Sequence, residues 1–303
     1  MGSGHDHAHA HGPADHNRAF AIGIALNVGF VVIEAVYGIL AGSLALLADA
    51  GHNLSDVLGL ALAWGASVLT TRHPSPRRTY GLRRSSILAA LLNAVTLLVA
   101  VGAIAWEAVI RLQDPGPVAG GTIVWVAAVG VLVNSVSAYL FVKGQADLNV
   151  RGAFLHLASD AAVSLGTVFA GAAILLTGWA WLDPVVSLVI GVVIVVGTWG
   201  LLVDSLNLAL DAVPEGIDPE VVKAYLQSLR GVGEVHDLHI WAMSTTETAL
   251  TAHLVIPGGF PGDAFLAATC RQLHDRFGIE YATLQLETGD PAHPCCLAPD
   301  TQV

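Results

Sequence analysis

The sequence predicts a membrane all-α domain of six transmembrane helices followed by a small cytoplasmic α+β domain. Three observations carry that prediction. Of 303 residues, 54% are apolar and only 12% charged, against about 25% charged in ordinary soluble domains; mean hydropathy is +0.65. Six apolar runs, roughly 18–40, 44–70, 86–111, 121–143, 153–177 and 182–205, are each long enough for a spanning helix, which needs about 20 residues. The charge is uneven: from Asp211 onward there are 13 acidic and 4 basic residues, whereas residues 1–210 hold 11 acidic and 9 basic. This composition excludes a single soluble globule and a disordered chain. The net charge of −11 weighs against nucleic-acid binding.

Polar breaks separate the runs at Ala41-Gly42-Ser43, at 71–84, at Asp114-Pro115-Gly116-Pro117, at 143–152 and at 178–184. Basic residues in short loops set orientation. Arg18 precedes the first run, the 2–3 loop carries Arg72, Arg77, Arg78, Arg83 and Arg84, and the 4–5 loop carries Lys143 and Arg151; only Arg111 falls on the other side. Both termini are therefore expected in the cytoplasm. The domain limits read as a His-rich tail over 1–17, a six-helix domain over 18–208, a cytoplasmic domain over 209–290 and a tail over 291–303. The polar N-terminus does not resemble a cleavable secretory signal. Its His5, His7, His9, His11 and His16 suit loose metal binding; an added affinity segment headed by Met1-Gly-Ser-Gly is the alternative.

Ionisable groups at membrane depth cost about 2.5–3.5 kcal/mol each on insertion scales, so they require a reason. The second run holds Asp49 and then His52-Asn-Leu-Ser-Asp56; the fifth holds His156-Leu-Ala-Ser-Asp160. In each pair His and Asp are four residues apart and lie on one helix face. Two such faces together offer two imidazoles and two carboxylates, a tetrahedral set that Zn²⁺ accepts. The alternatives are satisfied polar helix contacts or a His–Asp proton relay without metal. Asn27 and Glu34, seven residues apart in the first run, also share a face; Glu34 reads as a proton carrier or, preferably, as a packing hydrogen bond, and Asn134 reads the same way. Gly38, Gly42, Gly59, Gly65, Gly191 and Gly197 permit close helix approach.

The C-terminal part reads as a helix over 218–230 capped by Asp218 with Pro219 in its first turn. Strands follow over 234–243 and 248–257, then a helix over 262–277 and a strand over 281–288. This αββαβ order suits a small sandwich. Strand parity puts His236 and His239 on opposite faces, so they are not expected to share a metal. Three cysteines, Cys270, Cys295 and Cys296, make no disulfide framework.

Several stretches resemble the cation diffusion facilitator family, over nearly the whole chain. They are Gly42-Ser-Leu-Ala-Leu-Leu-Ala-Asp-Ala-Gly-His52, Thr79-Tyr80-Gly81, the second His-x-x-x-Asp, Asp183-Pro184, Leu210-Asp211-Ala-Val-Pro214 and His236-Asp-Leu-His-Ile-Trp241. The resemblance, closest to zinc-type bacterial cobalt-zinc-cadmium exporters, implies a homodimeric, proton-coupled exporter of divalent metal ions in the bacterial inner membrane. It places the transport site on His52, Asp56, His156 and Asp160, with Zn²⁺ as the main substrate and Cd²⁺ or Co²⁺ as further ones. It also implies a ferredoxin-like cytoplasmic domain, in which His236, His253 and Glu287 would hold a structural or regulatory zinc ion. Gln285 and Glu280 stand where other members have His, so that site is expected to be completed differently.

Some members carry a Cys pair near Cys295 and Cys296 that binds zinc with a partner subunit's His; vicinal cysteines chelate one ion poorly. Some have a second metal site in the 2–3 loop. Here the aligned positions are Ser75, Arg78 and Leu82, so no metal is expected there and His73 is expected to be solvated, as are His239, His274 and His293 unless structural. A charge interlock in some members matches Arg84 and Asp211; a headgroup role for Arg84 is the ordinary alternative.

Two rivals come from other function classes. An intramembrane metal hydrolase would use a similar zinc site to activate water, but no nucleophile motif accompanies it. A passive metal channel or sensor needs no proton coupling. No Walker-type glycine loop supports an ATP-driven pump.

Overall fold

The computed structural model describes residues 14–70, 74–140, 142 and 148–297. The His tract at 5–11, Arg72, His73 and Lys143 lie outside the described residues, as do the side chains of His16, Arg18 and Arg151. Contacts divide the chain into two compact units, one within 1–61 and 93–199 and the other within 62–92 and 200–303.

Six long helices come first: α1 (Ala14–Ala41), α2 (Leu44–Thr70), α3 (Ser85–Gln113), α4 (Gly120–Leu140), α5 (Leu148–Thr177) and α6 (Leu182–Ala209). Among the described residues, four segments are long and apolar enough to cross a membrane: Ser85–Gln113, Gly120–Tyr139, Phe154–Thr177 and Leu182–Ala209. In α1 the apolar stretch is the shorter Ala25–Ala41, and α2 bears Asp49, His52 and Asp56. The protein is therefore helical and membrane-spanning in this part, with four spans supported by length and composition. Along α1, Phe30, Val31, Glu34 and Ala41 are buried while Val32, Ile33, Val36, Ile39 and Leu40 are exposed, a period of one helical turn. The pattern inverts that of a soluble protein. Apolar Leu176 and Val196 face outward, while Glu34, Asp49, Asn134, Asp160, Ser164 and Asp183 are buried, as expected when the outer surface meets lipid.

Within the first unit, Phe30, Leu46, Ile123, Ala127 and Ile174 form one apolar cluster, and Ala45, Leu97, Val101, Ile190 and Ile194 another. Small residues allow this. A Cβ on Gly130 would stand 2.6 Å from Phe30 Cζ, and one on Gly171 would stand 2.8 Å from Ile123 Cγ2. These two close approaches were not among the glycines singled out from sequence; of those, Gly65 and Gly197 meet nothing within 4 Å. At the start of α2, Asp183 accepts from Ser43 Oγ at 2.5 Å, Leu44 N at 2.7 Å and Ala45 N at 3.3 Å. A carboxylate 140 residues away thus satisfies the free amides of a helix N-terminus. Arg111 donates to the Gly42 carbonyl at 2.5 Å and bonds Glu107 one turn back.

The second unit contains a turn at 75–78 closed by Ser75 N to Arg78 O at 3.0 Å and its reciprocal at 2.9 Å. Arg84 pairs with Asp211, as the interlock predicts. Arg83 adds an unforeseen pair with Glu247 at 2.7 Å. Then follow α7 (Pro219–Gln227), β1 (Glu234–Ala242), β2 (Thr248–Val255), α8 (Asp263–Phe277) and β3 (Ile279–Glu287), the expected αββαβ order. Asp218 caps α7 by accepting from Glu220 N at 2.9 Å. The sheet order is β1-β2-β3, with β1 antiparallel and β3 parallel to β2. Val222 and Leu226 of α7 and Leu273 of α8 pack with Val235, Ile240, Leu250, Leu254 and Ile279 of the sheet.

One expectation fails here. His236 pairs with His253 and His239 with Thr251, so two residues of β1, Asp237 and Leu238, oppose one of β2, Ala252. This is a β-bulge, with Asp237 at φ 50°, and the extra residue resets the alternation. Val235 and Ile240 both face the core, which puts His236 and His239 on the same outer face as His253. The parity argument against His236 and His239 sharing a face is overturned.

Candidate metal centres

The two His-x-x-x-Asp motifs stand on α2 and α5, and the first unit brings them together. His156 Nε2 lies 3.2 Å from Asp56 Oδ2 and 3.5 Å from Asp160 Oδ2. His52 Nε2 lies 3.4 Å from Asp160 Oδ1 and 3.9 Å from Asp56 Oδ2. The imidazole rings meet edge to face with centroids 6.0 Å apart. Each carboxylate thus stands between the two imidazoles, with His52 the most distant of the four from the rest of the group. Tetrahedral metal–ligand bonds of about 2.0–2.1 Å put neighbouring donors roughly 3.3–3.4 Å apart, and the measured separations bracket that value. Donor atoms of Asp56, His156 and Asp160 all fall within 4.8 Å of one another. Asp56 Oδ2 is buried yet makes no aligned hydrogen bond, so a lone pair is left for a ligand. Asp160 is buried and His156 half-exposed, which leaves the centre reachable from one side.

The second unit holds another group. His236 Nε2 is 3.3 Å from Glu287 Oε2, and His253 Nδ1 is 2.8 Å from Glu287 Oε1. Cys295 Sγ comes within 3.4 Å of His253 Nδ1. Donor atoms of His236, His253, Glu287 and Cys295 lie within 4.8 Å of one another. Burial works to raise the Glu287 carboxyl, but hydrogen bonds from Cys295, Gln285 and His236 hold it below its ordinary value. A backbone hydrogen bond from Leu297 favours the Cys295 thiolate; burial and the facing Glu287 carboxylate outweigh it and push the thiol above its ordinary value. Asp237, at the bulge, reaches His253 Nε2 at 3.4 Å and His239 Nε2 at 3.0 Å, orienting the first ring. Cys296 and His293 are exposed.

Comparison with known proteins joins both halves. The family model for a cation efflux transmembrane domain matches residues 20–208, and that for a cation efflux protein's cytoplasmic domain matches 214–289. The chain belongs to the cation diffusion facilitator, or cation efflux, family. It is similar to the zinc transporter ZitB of Escherichia coli, at 37% identity over 301 residues, 98% of this chain and 96% of that protein. The metal cation efflux system protein CzcD of Cupriavidus metallidurans is 37% identical over 289 residues, 95% of this chain and 90% of its own length. A cadmium, cobalt and zinc/H(+)-K(+) antiporter of Bacillus subtilis is 32% identical over 286 residues, 92% of each chain.

As a cation efflux protein the chain is an integral membrane protein, and its sequence-predicted site residues fall into the two groups just described. Sequence reasoning missed Asp237, because a bulge has no local signature in His-Asp-Leu-His. It left Cys295 undecided, because the tail's path back to β2 is a tertiary matter. The partner of Asp183 was also out of reach. Its hydrogen bonds span 140 residues.

Proposed function

We propose that the chain is a proton-coupled antiporter that exports divalent transition metal ions from the cytoplasm, chiefly Zn²⁺ and also Cd²⁺ and Co²⁺. The observation that carries the reading is the convergence of His52, Asp56, His156 and Asp160 from two apolar helices at 3.2–3.9 Å. The names of the relatives, a zinc transporter, a metal cation efflux protein and an antiporter, support the same substrate class. Imidazole donors favour Zn²⁺ over hard ions such as Mg²⁺ and Ca²⁺.

Binding needs neutral imidazoles and ionised carboxylates, so metal loading displaces protons. After the site opens away from the cytoplasm, protons compete the metal off and return on the reverse stroke. In this reading the chain spans the bacterial inner membrane six times with both termini cytoplasmic. Its domain limits are a tail over 1–17, the six-helix domain over 18–208, the cytoplasmic domain over 209–290 and a tail over 291–303. Two copies form a homodimer, in keeping with a matched cytoplasmic domain that is named for dimerisation. The cytoplasmic group His236, His253 and Glu287 holds a structural or regulatory zinc ion, with Cys295 in place of the missing His at 285.

Purified protein in oriented proteoliposomes tests the reading. Zinc uptake driven by, and opposite to, a proton gradient is the expected result. Zinc flux indifferent to the pH gradient would make the protein a channel.

A further inference from the structure

Two buried carboxyl groups beside the proposed transport site take no part in it. Glu34 of α1 and Asp49 of α2 are both 0% exposed, and their carboxyl groups lie close to one another. Each has one neutral partner besides. Asn53 Nδ2 donates to Glu34 Oε2 at 3.2 Å, and Ser164 Oγ donates to Asp49 Oδ2 at 3.0 Å. The other two oxygens, Glu34 Oε1 and Asp49 Oδ1, are buried without any donor from the protein. Ionised carboxylates only accept hydrogen bonds, so two of them bond one another only when one carries a proton. Two like charges in so dry a place do not both stay ionised. The charged groups facing the pair are His52 from α2 and Asp160 from α5. α4, which contributes to the packing around α1, has no Asp, Glu, Lys, Arg or His along its length.

We propose that Glu34 and Asp49 form a proton-binding dyad, a second ion site that gives up its shared proton when the neighbouring transport site takes up a metal ion. The proposal rests on the transporter reading above and adds to it a proton that the four ligands do not carry. Asp49 precedes His52 by three residues and so stands one helical turn away on the same side. A dication held by His52 and Asp160 attracts a second negative charge on the dyad. The balance is simple: the metal enters with two positive charges, the dyad proton leaves to solvent, and the buried region gains one net charge fewer than it would with the dyad proton kept. When the metal departs, the proton returns to the facing oxygens.

The test uses the full chain, with Zn²⁺ as the probe. Infrared difference spectra of the unmodified protein near neutral pH should show the carbonyl band of a protonated carboxyl group. Adding Zn²⁺ should remove it. The band should persist in metal-free Asp56→Asn protein and be lost or displaced in Asp49→Asn. Calorimetry in buffers of different ionisation enthalpy counts protons released per Zn²⁺ bound. Glu34→Gln should bind zinc yet release roughly one proton fewer than the unmodified protein. An unmodified protein with no such band, or a zinc-binding Glu34→Gln protein with an unchanged proton count, would overturn the dyad. The infrared result on unmodified protein stands even if both variants misfold. Failure of the transporter reading looks different: zinc flux into proteoliposomes would then ignore the pH gradient, whatever the dyad does.

Discussion

In the membrane unit, one spacing, His-x-x-x-Asp, occurs on both α2 and α5 and puts two imidazoles and two carboxylates around a point. In the cytoplasmic domain a similar number of donors comes from unrelated places: His236 of β1, His253 of β2, Glu287 at the end of β3 and Cys295 in the tail. A helix fixes which residues share a face within a few positions, so the first centre is nearly complete at the level of secondary structure. A sheet site depends on register and on where strands bulge. The bulge at Asp237 alone turns His239 to the face of His236. The two centres also differ in charge. The membrane centre has two carboxylates and suits a dication with no residue to spare, whereas the cytoplasmic centre has one carboxylate and a thiol.

The largest effect that separates the two centres is expected from Asp160→Ala. It removes one ligand and one of two charges at the membrane centre, so zinc flux into proteoliposomes should fall to background. Zinc binding by the cytoplasmic domain should persist. Normal flux through a folded Asp160→Ala protein would break the site assignment. Next, His52→Asp replaces a borderline nitrogen donor with a hard oxygen. Competition among Zn²⁺, Cd²⁺ and Mn²⁺ should shift toward the harder or larger ions by roughly tenfold or more in relative rate. An unchanged ranking would count against His52 as a ligand.

The cytoplasmic centre should answer to its own residues. Cys295→Ser should weaken zinc binding there by at least about tenfold while leaving transport working, as read by titration against a chelating dye. Equal affinity would exclude the thiol. The pH response sharpens the contrast. Affinity at both centres should fall as pH drops, because metal ligation displaces protons. The Cys295 thiol is held above its ordinary value, so its proton must still be displaced, and affinity there should keep rising as pH increases. The membrane centre has no thiol proton to displace. Calorimetric titrations at several pH values would show this. The smallest effect belongs to neither centre. Asp218→Ala removes the α7 cap at a cost of about 1 kcal/mol, so hydrogen exchange in α7 should quicken roughly fivefold with zinc binding unchanged.

Much of the molecule was legible before any coordinates. The apolar runs are set by local hydropathy, and each helix limit from α1 to α6 falls within a few residues of its sequence reading. The two His-x-x-x-Asp pairs were legible because helical spacing is a local property. Asp218 and Pro219 announced α7 for the same reason. What only the tertiary structure decided is which distant groups share a space. Asp183 satisfies the amides at the start of α2, Gly120, Gly130 and Gly171 prove to be tight packing points, and Glu34 meets Asp49. The tail returns Cys295 to His253. None of these leaves a periodic trace, because periodicity records which way a residue faces along its own element. The identity of the group waiting on the other side is set by packing.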